Sequence, residues 1–159
     1  MLLGNTYEFV ALYFAAARAG LVSVPLNPAY TSAEVAVLLA DSGARMLVVQ
    51  PSTLVVGEES ADALPGCELV NVADAQWRTI AQVGSTLPLV DVPTTPETLA
   101  LLLFTAGTSG RPKGAMLTHG ALRANIEMLL SLSDPPAVLD RDVVLMVLPM
   151  FHVYGLNTA

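Results

Sequence analysis

Short, unbroken apolar runs of strand length recur along this sequence, and stretches with helix-start signals separate them. Met46–Val49 and Leu99–Phe104 are the clearest runs, and Cys67–Val72, though it contains Glu68 and Asn71, also reads as a strand. A strand that is apolar at consecutive positions is buried on both faces, as in parallel sheets covered by helices. Asn5 with Glu8, and Thr31 with Glu34, have the three-residue spacing of a capping box ahead of a helix. Strands that alternate with helices predict an α/β fold with a largely parallel sheet and flanking helices. In such sheets ligands bind beyond the carboxyl ends of the strands.

The remaining elements follow from the same signals. A first helix is expected from the Asn5 cap to Ala19, stopped by Gly20, and a short buried strand over Leu21–Leu26. Ala33–Ser42 reads as a second helix ended by Gly43, and a weak helix follows within Leu54–Leu64. Ala73–Val83 reads as helix, with Trp77 and Ile80 three apart, and Gly84–Pro96 as a linker. After Leu99–Phe104 come a glycine-rich loop, Ala115–Leu117, and a helix capped by Thr118 that runs to about Leu132. A strand is expected over Asp142–Leu148, and Tyr154–Ala159 carries no stop signal.

Composition excludes several function classes. Net charge is −7, from 7 Lys and Arg against 14 Asp and Glu, so no excess of cations exists to neutralise nucleic-acid phosphates. Charged residues make up 13% of the chain and apolar residues 53%, with a mean hydropathy of +0.59. An ordinary soluble domain is roughly 25% charged, so either a membrane or a protein partner is expected to cover some surface. A membrane-spanning helix needs about 20 mostly apolar residues. The best window, Phe9–Val24, contains Arg18 and Gly20 and meets Pro25. No basic residue precedes the first apolar stretch, so no signal peptide is read and a cytoplasmic location is expected. The single cysteine, Cys67, excludes an internal disulfide and reads as a buried, inert thiol.

The candidate chemistry concentrates in Thr105-Ala106-Gly107-Thr108-Ser109-Gly110-Arg111-Pro112-Lys113-Gly114, directly after the run Leu99–Phe104. Glycines let successive backbone N–H groups turn inward into an anion-binding nest. Thr105, Thr108 and Ser109 add hydroxyl donors, and Lys113 adds a full positive charge. The Walker pattern fails, because Pro112 stands where its second glycine belongs and Gly114 follows Lys113 in place of Ser or Thr. The dinucleotide-binding glycine spacing fails as well.

Phe104–Gly114 closely resembles the phosphate loop of the adenylate-forming (AMP-binding) superfamily: an aromatic residue, then Thr-Ser-Gly-Thr-Thr-Gly, any residue, and Pro-Lys-Gly. Ala106 and Ser109 are the two departures. Thr6–Pro28, with Val24-Pro25-Leu26-Asn27-Pro28, is similar to the family's early helix and strand, and Pro149–Gly155 to its substrate-side motif. Asp41–Arg45 also fits fatty acyl-CoA synthetases. The resemblance runs through nearly the whole chain in the right order.

The resemblance implies a fragment, residues 1–159, of the AMP-binding N-terminal domain, with the family's first residues, later motifs and C-terminal domain outside it. It implies ATP-dependent activation of a carboxylic acid, by analogy a fatty acid, to an acyl-adenylate. Transfer to CoA follows. Lys113 and His152 would be catalytic. Thr105, Ala106, Gly107, Thr108, Ser109, Gly110 and Lys113 would bind ATP, with the Mg²⁺ ligand lying outside this chain. His119, at a helix start, reads as structural. Within the class a peptide-synthetase adenylation domain is the nearest rival. Outside it, a non-catalytic remnant that at most binds nucleotide or polyphosphate remains the alternative.

Overall fold

The computed structural model describes residues 1–84, 86–88, 92–105, 112–133 and 141–158. In chain order these residues form α1 (Tyr7–Arg18), α2 (Ser32–Ser42), β1 (Met46–Val49), a 3-10 turn (Pro51–Thr53), α3 (Leu54–Asp62) and β2 (Glu68–Asn71). Then come α4 (Ala75–Gly84), β3 (Leu99–Thr105), β4 (Lys113–Thr118), α5 (His119–Leu130) and α6 (Val153–Thr158).

The strands form two ladders joined by bridging segments. β1 and β2 are parallel, and β3 and β4 are antiparallel. Leu2 makes a parallel bridge to Val49, and Ser23 a parallel bridge to Leu101. Between them, the Met1 amino group donates to the Val24 carbonyl at 2.8 Å, and the Leu26 N–H to the Met1 carbonyl at 2.9 Å. The array therefore reads across as β4, β3, residues 23–26, residues 1–2, β1, β2. Its pairing is parallel except for β4. The segment Leu21–Leu26, expected as a strand, contributes only the Ser23 bridge and these bonds, since Pro25 has no N–H to give a ladder.

Alternation along the strands sends side chains to two faces. On one face Leu2, Leu47 and Val49 pack with Leu26 and with Val35, Leu38 and Leu39 of α2, while Leu54 and Val56 of α3 lie against this cluster. On the other face Leu3, Val48 and Val70 pack with Phe9 of α1 and with Met150, and Trp77 and Leu156 adjoin them. The expected α/β layering is thus present, with helices on both faces.

Local chemistry sets the helix ends. Thr31 and Glu34 form the expected capping box, and Gly43 ends α2 with φ +65°. The Glu34 carboxyl is held below its ordinary pKa, chiefly by the Thr31 backbone N–H and then by the Thr31 hydroxyl. At α1 the cap is Thr6, not the expected Asn5: the Thr6 side chain accepts from the Phe9 N–H at 3.3 Å. The Asn5 side chain is engaged elsewhere, as described below. The expected strand Asp142–Leu148 is absent. Residues 142–147 have no helical or strand hydrogen bonding, and Val143 and Leu145 are 99% and 84% exposed.

Gly57 is required by packing. A Cβ on Gly57 of α3 would stand 2.5 Å from Val49 Cγ1 and 3.2 Å from Leu69 Cδ1, both side chains on strands beneath the helix. Gly57→Ala should therefore destabilise the protein. Overpacking costs about 1–3 kcal/mol, more than the roughly 1 kcal/mol that helix propensity returns. A Cβ on Gly84, at the end of α4, would meet nothing within 4 Å, so Gly84→Ala is the matched control. Urea midpoints should fall for the first variant and hold or rise for the second; equal midpoints would contradict the packing argument.

Candidate active site

β3 is flanked on both sides, by β4 and by the Ser23 bridge, so its carboxyl end opens within the sheet and not at an edge. There Thr105 ends β3 and Lys113 begins β4, and the two are partners across the ladder. The Thr105 hydroxyl donates to the Lys113 carbonyl at 3.3 Å. This pins together the two ends of the glycine-rich loop. Ala106, Gly107, Thr108, Ser109 and Gly110 lie outside the described residues. Lys113 is exposed, and its ammonium has no ion-pair partner among the described residues. Gly114 lets β4 approach β3, because a Cβ there would lie 2.9 Å from Leu102 Cδ1.

A cleft of about 430 Å³ opens beside this strand end. Its walls come from Pro25–Asn27 and Tyr30, from Leu103–Thr105 and Ala115 with Leu117 of the hairpin, and from Phe151–Val153. Thr105 and His152, nearly fifty residues apart in sequence, thus share one cavity. Lys113 lies beside it, paired with Thr105, and is not part of the wall. The lining is mostly apolar with a few polar groups, the usual make-up of a small-molecule site.

His152 immediately precedes α6. Its backbone N–H donates to the Pro149 carbonyl at 3.1 Å, and its Nδ1 accepts from the Tyr154 N–H at 3.3 Å. With Nδ1 accepting, the proton of a neutral ring sits on Nε2, which leaves an N–H donor free. Gly155 is needed behind it: a Cβ there would collide with the Pro149 carbonyl group. The chemistry on offer is an imidazole N–H and a nearby ammonium, both able to meet anionic oxygens, while the Thr105 hydroxyl proton is taken by the Lys113 carbonyl.

His119 and Cys67 stand apart from the cleft. His119 opens α5, where Thr118 caps the helix by accepting from the Ala121 N–H at 3.2 Å. His119 does not line the cleft, and its Nε2 is buried with no hydrogen-bond partner among the described residues. Burial pushes the Cys67 thiol above its ordinary pKa, which keeps it in the unreactive thiol form. Among the described residues no three His, Cys, Asp or Glu side chains cluster to hold a metal ion, and no helix is long and apolar enough to cross a membrane.

Three contributors to the site were not found in the sequence. Asn27 and Tyr30 line the cleft from a turn that reads as a plain Pro-flanked connection. The third is Asn5. Its Nδ2 donates to the Leu148 carbonyl at 2.8 Å, and its Oδ1 accepts from the Met150 N–H at 2.9 Å. The segment that carries His152 is thereby fastened to the start of α1.

The model of the AMP-binding enzyme family matches residues 1–159. The chain belongs to the AMP-binding enzyme family. Compared with the 4-coumarate–CoA ligase 5 of Oryza sativa subsp. japonica, it is 35% identical over 165 residues, which cover 99% of this chain and 30% of that protein. The crystal structure of a long-chain-fatty-acid–CoA ligase from Archaeoglobus fulgidus superposes with a TM-score of 0.81 at 30% identity, covering 98% of this chain and 31% of that one. ATP-bound MatB from Rhodopseudomonas palustris superposes with a TM-score of 0.75 at 31% identity, covering 96% and 30%. The chain therefore spans about 30% of the length of these AMP-binding relatives.

Proposed function

We propose that this chain is part of an acid–thiol ligase that activates a carboxylic acid with ATP and passes the acyl group to CoA. The observation that carries the reading is the convergence of Thr105 and His152 on one cleft at the carboxyl end of β3, with Lys113 fixed beside Thr105. Family membership and an ATP-bound structural neighbour support it.

In the first step a carboxylate oxygen attacks the α-phosphorus of ATP. The bond from that phosphorus to the bridging oxygen breaks, and pyrophosphate leaves with the electron pair. In the second step the CoA thiolate attacks the acyl carbon, and AMP leaves. Nucleophile and target are both anionic, so the first step needs preorganised positive charge and donors. Lys113 supplies a charge at the phosphates and His152 Nε2–H a donor toward the carboxylate, while Thr105, whose hydroxyl proton goes to the Lys113 carbonyl, holds Lys113 at the strand end. Ala106–Gly110 would add backbone N–H groups to the phosphates. Mg²⁺, when bound, would neutralise further phosphate charge through a ligand that lies outside this chain.

The apolar walls of the cleft suit the hydrocarbon part of an organic acid, and we take a fatty acid as the first candidate. The 4-coumarate–CoA ligase similarity makes an aromatic acid the second. The proposed location is cytoplasmic. ATP–pyrophosphate exchange by the complete enzyme, with octanoate, palmitate, 4-coumarate and malonate supplied in turn, tests the reading. Exchange that depends on one of these or a related acid is the expected result, and its absence with every acid would refute it.

A second reading is favoured by the 30% coverage of the relatives: the 159-residue chain by itself catalyses nothing and at most binds nucleotide or polyphosphate. We expect exchange by the isolated chain at background. Acid-dependent exchange well above background by that chain would reject this expectation.

A further inference from the structure

Two hydrogen bonds of the Asn5 side chain reach the segment that ends in His152. They span 143 and 145 residues, at 2.8 and 2.9 Å. One amide side chain satisfies a carbonyl at Leu148 and an N–H at Met150, as both its donor and its acceptor are engaged. Just before these positions, residues 142–147 form no strand and have no ladder partner among the described residues. Met150 is buried beside Leu3 and Phe9, so the same junction is closed by packing. Two residues further on, His152 enters the cleft wall.

We propose that Asn5 is a positioning residue for His152. It acts through the 148–150 backbone and sets where the imidazole N–H meets the acid, without touching substrate itself. Packing of Met150 fixes the depth of this segment but not its rotation. The paired bonds fix rotation, since one donor and one acceptor must both align. The inference rests on the role given to His152 above.

The test is a double-mutant cycle in the complete enzyme: Asn5→Ala, His152→Ala and both together, read as kcat/KM for the acid and, separately, KM for ATP. Asn5→Ala should lower kcat/KM for the acid about tenfold, as expected for loss of one or two neutral hydrogen bonds, with little change in KM for ATP. In the His152→Ala background it should have almost no further effect. Full additivity, or an equal loss for acid and ATP, would overturn the proposal. Asn5→Asp keeps the acceptor for Met150 and loses the donor to Leu148, so it should fall between wild type and Asn5→Ala. Hydrogen exchange of the Met150 amide is the readout that does not need activity. It should quicken in Asn5→Ala and stay near wild type in Asn5→Asp; an unchanged rate in Asn5→Ala would overturn the assignment. If His152→Ala alone leaves catalysis intact, the role of His152 fails, and the amide exchange still decides whether Asn5 holds the segment.

Discussion

Replacing Lys113 by alanine in the complete enzyme should slow acyl-adenylate formation by about tenfold to a hundredfold. It should leave thioester formation from a preformed acyl-adenylate nearly unchanged. Lys113 faces Thr105 across the first rung of the β3–β4 ladder, at the root of the glycine-rich loop, and its ammonium has no ion-pair partner among the described residues. A free ammonium at that place is available to a phosphate. Losing one hydrogen bond to a charged group removes roughly 1.5–3 kcal/mol, and each 1.4 kcal/mol or so is a decade in rate. Pyrophosphate has already departed when the thiol attacks, so the second half-reaction should be spared. Lys113→Arg should not restore full rate, because a planar fork replaces a compact point charge. Single-turnover kinetics of each half-reaction checks this. Equal slowing of both halves, or slowing of the thioester half alone, would show that Lys113 does not serve the phosphates.

A chain that begins at Met1 should lose stability as the pH falls from about 8 to about 5. The Met1 amino group is partly buried, and burial lowers its pKa from 8.0 to about 5, opposed in part by the nearby Cys67. Its one described partner is the Val24 carbonyl. Between those two pH values the unfolded chain carries a proton there and the folded chain does not. Stability then rises with pH through that window, since the unfolded state binds more protons. The contribution is complete above pH 8 and flat below pH 5. A difference of about three pH units corresponds to about 4 kcal/mol, comparable with much of the stability of a small domain. Acetylating the amine removes the titration. Urea midpoints measured across this range should therefore slope for the free amine and flatten for the acetylated chain. Parallel profiles would show that the amine is hydrated in the folded state.

Signals confined to three or four residues were legible before the structure, because they depend on nothing distant. The Thr31–Glu34 box, the left-handed Gly43 and the Thr118 cap all appear as read. The buried strands β1, β2 and β3 sit within two residues of their expected bounds. What failed needed tertiary information. Asn5 has the right residue type and spacing to cap α1, yet a backbone 145 residues away takes its side chain, and Thr6 caps instead. Apolarity in Asp142–Leu148 signals a surface that seeks cover, but a strand also needs a neighbour with free N–H and C=O groups. Residues 142–147 pair with none of the described residues, and Asn5 takes the Leu148 carbonyl. In the site, Thr105 and Lys113 could be read from the loop they bracket. Asn27 and Tyr30 could not, because only the crossing of residues 23–26 beside β3 brings that turn to the cleft.

Closure of the face beneath α1 has a consequence for synthesis on the ribosome. Leu3 and Phe9 are made well before Met150, yet Met150 is one of the groups that buries them. At about 5–20 residues per second, the 145 residues that separate Asn5 from Met150 take roughly 7–30 s to emerge. During that interval α1 can rest on β1 and β2, but its remaining apolar surface lacks its cover. A nascent chain carrying this sequence therefore presents a sticky face at α1 to chaperones until Met150 has been translated.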